Sequence, residues 1–85
     1  METRVAILAI VVEEPSHVEE LNHILHEYSH CIIGRMGLPY PKRKISLISV
    51  AVDAAQDQIS ALSGKIGRLK GITAKTVYSK IGGGS

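Results

Sequence analysis

Residues 5–12 read VAILAIVV, eight apolar residues in succession, and no other stretch of the chain restricts the fold as tightly. The run is rich in β-branched residues and has no helical period, so it reads as a strand that is apolar on both faces. Val5, Ile7, Ala9 and Val11 lie on one face; Ala6, Leu8, Ile10 and Val12 lie on the other. A strand of that kind belongs in the middle of a sheet, with cover on both sides. It is far shorter than the roughly 20 residues that span a bilayer. Glu13 and Glu14 follow at once, where a secretory signal needs small residues. No membrane association is expected. Residues 45–53 (ISLISVAVD) form a second strand of the same character.

Helices and turns fill the remainder. Glu14-Pro15 ends the first strand, and Ser16 with Glu19 three residues later has the S-x-x-E spacing of a capping box. Val18, Leu21, Leu25 and Tyr28 follow at spacings of three and four, so a helix with one apolar stripe is expected over 16–28. Residues 31–38 (CIIGRMGL) read as a strand and 39–44 (PYPKRK) as a turn. Ile59, Leu62, Ile66 and Leu69 define a second helix over 56–69, weakened by Gly64 and Gly67 unless something approaches its backbone closely. Gly71 is a natural stop, and 73–80 (TAKTVYSK) alternates as a fourth strand. Residues 82–85 (GGGS) have the composition of a flexible tail, which leaves one domain over 1–81.

The order βαββαβ, with a short turn between strands two and three, is that of the ferredoxin-like α+β sandwich. Right-handed crossovers place both helices on one face of a four-stranded antiparallel sheet. Eighty-five residues, 45% of them hydrophobic, suffice for one thin core. They leave nothing to cover the second sheet face, although strands one and three are apolar there too. A second subunit is the expected cover, so the chain is expected to be a homo-oligomer, a dimer or a tetramer.

Little in the sequence suggests catalysis. His23 and His26 stand three apart on the first helix, and His30 would extend that side if the helix reached it; these are the candidate metal ligands of a sensor. Cys31 beside His30 is better read as a small buried hydrophobe than as half of a dyad, because neighbours on a strand point to opposite faces. A single cysteine rules out an internal disulfide and suits the cytoplasm. The stretch SGKIGRLKG imitates a phosphate loop but lacks its first glycine and its Ser or Thr, and it falls inside a helix.

Residues 1–40 hold six acids and two bases, whereas 41–85 hold two acids and eight bases. Such asymmetry marks either an anionic partner for the second half or acidic and basic elements set side by side within the fold, and the second reading is preferred. With three Tyr and no Phe or Trp, base stacking has little to use, and direct nucleic-acid binding is not expected. The least explained segment is IIGRMGLPY. Two glycines within a strand mark a bulge or a close approach. Gly34, Arg35, Met36, Gly37 and Tyr40 are therefore the candidates for a ligand contact or interface, set against a twisted edge strand guarded from aggregation.

Together with the opening strand, the segments ILHEY, IIGRMGLPY, ISLISV, DAAQDQISALSGKIGRL and KTVYSK resemble the regulator family of the iron-only hydrogenase system. IIGRMGLPY is the most specific piece. The resemblance implies a ferredoxin-like, ACT-like fold, akin in architecture to the ligand-binding domain of nickel-responsive regulators, that assembles as an oligomer. It implies a noncatalytic regulatory module binding a small ligand or a protein. It carries over no catalytic or ligand residues and names no cofactor or ligand. The chain differs from ACT amino-acid sensors in the turn Glu13-Glu14-Pro15-Ser16, which has no glycine, and from nickel sensors in lacking their histidine and cysteine pattern.

Overall fold

Strand β1 (Arg4–Val12) lies between β3 (Ile45–Ala54) and β4 (Ile72–Tyr78), and β2 (Ile32–Tyr40) closes the far edge in the order β2-β3-β1-β4. Helices α1 (Val18–Glu27) and α2 (Gln56–Gly67) connect them, with short 3-10 turns at Pro15–His17 and Ser29–Cys31. All pairings are antiparallel. This is the ferredoxin-like arrangement expected from the sequence. The computed structural model describes residues 2–80, so the tail expected at 82–85 lies outside the described residues. Among those residues, no helix is long and apolar enough to cross a membrane.

The alternation of β1 is resolved. Ala6, Leu8, Ile10 and Val12 are buried beneath the helices, while Val5 and Ile7 on the opposite face are 41% and 46% exposed. Val50, Val52 and Ala54 of β3 join the buried side, together with Leu21 and Leu25 of α1 and Ile59, Leu62 and Ile66 of α2. Each fully buried branched aliphatic contributes roughly 1.5–3 kcal/mol relative to exposure, and no buried side-chain nitrogen or oxygen among the described residues lacks a partner. At one end of the core, the Arg4 guanidinium stacks 4.2 Å from the Tyr78 ring centroid and donates to Gln56 Oε1 at 2.6 Å. Gln56 in turn donates to the Tyr78 hydroxyl at 2.7 Å.

Several local expectations are corrected. Ser16 does not cap α1: its hydroxyl lies 3.2 Å from His17 Nδ1, and the helix is entered through a 3-10 turn with Pro15 near its start. Pro favours that first-turn position because its missing N–H has no helical partner there. Glu19 and Glu20 do fall in the first turn of α1. Pro39 and Tyr40 are strand residues, paired with Ser46 and Ile45, and only 41–44 turn. Pro39 is tolerated because β2 is an edge strand. The turn is held by Arg43 N–H to Tyr40 O at 3.2 Å and Lys44 N–H to Pro41 O at 3.1 Å, with Lys44 at φ 57°. Helix α2 stops at Gly67, and neither Gly64 nor Gly67 has another part of the chain near its missing side chain. Its start is secured by Asp57 Oδ1 and by Gln58 Oε1, which accept the N–H groups of Gln58 and Ala55 at 2.9 and 3.4 Å.

Gly71 fixes the spacing of two connections. It adopts φ 79°, and its carbonyl accepts the N–H groups of Glu13 at 2.7 Å and Glu14 at 3.1 Å. The loop that enters α1 is thereby strapped to the loop that leaves α2.

Candidate functional site

The pairing registers define the uncovered face row by row. Leu38, Leu47, Val11 and Thr73 form one row; Met36, Ser49, Ala9 and Lys75 the next; Gly34, Ala51, Ile7 and Val77 a third. Asp53 and Val5 lie below, and Tyr40 and Ile45 above. The middle of the face is built from small residues and its margins from large ones. The result is a shallow trough, apolar in its lining, of about 280 Å³ over Ala9 and Ser49 between Met36, Leu38, Leu47 and Val11. Met36, Leu38 and Val77 are 73%, 61% and 65% exposed. The only charged side chains at these positions are Asp53 and Lys75, of opposite sign.

The five candidate residues of β2 divide between two surfaces because successive strand residues alternate. Gly34, Met36 and Tyr40 belong to the open face. Arg35 and Gly37 oppose Val50 and Ile48 and so belong to the helix side. The register shifts between Ile32 and Gly34, leaving Ile33 as the extra, exposed residue of a bulge. A bulge was one of the two readings of these glycines. The other, a close approach to the backbone, is not met within the chain, since nothing lies within 4 Å of the missing side chain of Gly34 or Gly37.

On the helix side, Arg35 enters a cleft of about 410 Å³ lined by Asn22, Leu25, His26, Ser29 and Ile32. Its Nη2 lies 3.5 Å from Asn22 Oδ1. This meeting of α1 with β2 was not anticipated from sequence. Asn22 and His26, four apart, share one side of α1, but that spacing alone does not say which strand they meet.

The helix-one histidines separate. His23 is largely exposed and sits 3.9 Å from Glu27 Oε2, His26 lines the cleft, and His30 lies beyond the helix end with its ring 6.4 Å from that of Tyr28. Among the described residues, no three His, Cys, Asp or Glu side chains are grouped to hold a metal. Cys31 is buried, in a 3-10 turn and not in a strand. Lys42, Arg43 and Lys44 are exposed at the hairpin tip.

Comparison with known proteins agrees with this architecture. The uncharacterized protein TM1266 from Thermotoga maritima has a solved structure that superposes at a TM-score of 0.89 with 36% identity, over 93% of this chain and 100% of that one. Comparison with curated proteins gives no match. Residues 4–76 match the model of the TM1266-like family, described as "Iron-only hydrogenase system regulator, putative". That match spans all but the first residues of the described fold and the end of its last strand, and the chain belongs to the TM1266-like family.

Proposed function

We propose that the chain is a noncatalytic regulatory module that works as a homo-oligomer, its subunits joined through the open face of the sheet. The family description supports the regulatory part of this reading. The observation that carries the assembly is the apolar face itself. Seven large side chains on it, Val5, Ile7, Met36, Leu38, Tyr40, Leu47 and Val77, are exposed, and a contiguous apolar surface of this kind on a sheet marks an interaction face. A second copy suits this face better than a strongly charged partner, because Asp53 on β3 and Lys75 on β4 can pair across two facing subunits. Gly34, Met36 and Tyr40 then belong to the interface. A buried single thiol, Cys31, is in keeping with a cytoplasmic module.

Light scattering on three proteins tests the assembly. The wild type should have a mass of at least two chains at micromolar concentration. Ile7→Asp places a carboxylate on the open face and should yield a folded single chain. Leu8→Asp buries a charge beneath the helices and should unfold the domain, since an unpaired buried charge costs several kcal/mol. A wild type that remains a folded monomer at high concentration would remove the reading.

A further inference from the structure

We propose that the cleft between α1 and the edge strand β2 binds a small organic carboxylate, its acidic group held by Arg35 and Asn22 and its apolar body resting on Leu25 and Ile32. The site lies on the opposite side of the sheet from the face assigned to subunit contact, so it does not depend on that assignment.

Arg35 is the anchor. Among the described residues, no carboxylate forms an ion pair with it, and its contact to Asn22 Oδ1, at 3.5 Å, is at the limit of a hydrogen bond. Most of its five N–H donors remain available, and their planar fork fits a carboxylate in bidentate fashion. With Oδ1 turned to Arg35, the Asn22 amide keeps its own N–H donors for the same guest. His26, one turn beyond Asn22 on α1, and Ser29, in the 3-10 turn after it, offer further polar contacts to a guest. The floor is different in kind: Leu25 is buried and Ile32 half-buried, both apolar. A polar rim over an apolar floor, within about 410 Å³, suits an amphipathic small molecule better than a bare ion. Glu19 lies one turn before Asn22 on the same side of α1. Its charge weighs against a dianion, which favours a monocarboxylate over a phosphate.

The test is an NMR titration of the 15N-labelled full chain at constant ionic strength with acetate, butyrate, hexanoate and inorganic phosphate. Saturable shifts are expected at the Asn22 side-chain amide and at the amides of Ser29 and Ile32, with affinity rising from acetate to hexanoate. Arg35→Gln should weaken hexanoate binding about 10–100-fold, the worth of a charge-assisted hydrogen bond. Arg35→Lys should recover only part of it, and Glu19→Gln should tighten it. Three results would overturn the proposal: no saturable shift, shifts centred on residues 42–44 that survive Arg35→Gln, or phosphate binding as tightly as hexanoate. The mass of the same samples reports separately on assembly, so binding by a monomer removes only the oligomer reading.

Discussion

Replacing Gly71 with alanine should be among the most damaging single-methyl changes available to this chain. At φ 79° an L-residue pays roughly 1–2 kcal/mol for the left-handed backbone. The added Cβ would also stand 2.5 Å from the Cβ of Glu14, with Cγ and Cδ at 3.0 and 3.2 Å. Rotating the Glu14 side chain cannot move its Cβ, so relief requires the backbone at 13–14 to retreat. That segment is held by the two hydrogen bonds to the Gly71 carbonyl, each worth about 0.5–1.5 kcal/mol. The combined cost is about 2–5 kcal/mol. In a domain of this size that lowers the melting temperature by on the order of 10–40 °C. Urea unfolding followed by far-ultraviolet circular dichroism measures it, at one fixed chain concentration because assembly would shift the apparent stability. Gly64→Ala is the contrasting control: it lies inside α2 with nothing near its missing side chain, and should stabilise by about 0.5–1 kcal/mol. A Gly71→Ala protein within about 0.5 kcal/mol of wild type would refute the reasoning, since it would mean that the strap carries almost none of these terms.

Gly34→Leu adds bulk to the open face, where the isolated chain has room, so it should leave the fold intact and weaken self-association by about 5–100-fold in sedimentation. Gly37→Leu on the helix side should leave the mass unchanged, and equal effects from the two would contradict the division of β2. The Cys31 thiol should react with a disulfide reagent only as the protein unfolds in urea, and rapid reaction of the native protein would contradict its burial.

The sequence was most informative where burial alone decides the conformation. Residues 5–12 and 45–53 could be assigned as central strands because both faces were apolar, yet which face of β1 met the helices depended on packing, and only the structure places Leu8 inside and Ile7 outside. The end of α1 was misplaced because Tyr28 continues the apolar stripe while its backbone has already left the helix, at φ −101° and ψ 16°. Two prolines and three bases in 39–44 point to a turn that takes in Pro39 and Tyr40. Pairing with β3 overrides that signal, since an edge position asks no N–H of Pro39 on the free side. The cleft around Arg35 escaped notice for a geometric reason. Its residues come from elements 6 to 13 positions apart, and nothing local in the sequence states that Asn22 will face Arg35.

The bulge at Ile33 has a consequence for how β2 tolerates change in length. From Gly34 to Tyr40 the strand is phased by the hairpin turn, whereas Ile32 is phased by the need to set its side chain toward the core opposite Val52. These two phases differ by one residue, and Ile33 absorbs the difference. Without it, Ile32 would abut Gly34 with each still opposite its present partner, and both halves of the strand would keep their faces. Inserting a residue between Gly34 and Met36 has no such buffer. It would carry one side-chain set to the wrong side of the sheet, exchanging a guanidinium for a thioether on a surface built for the other.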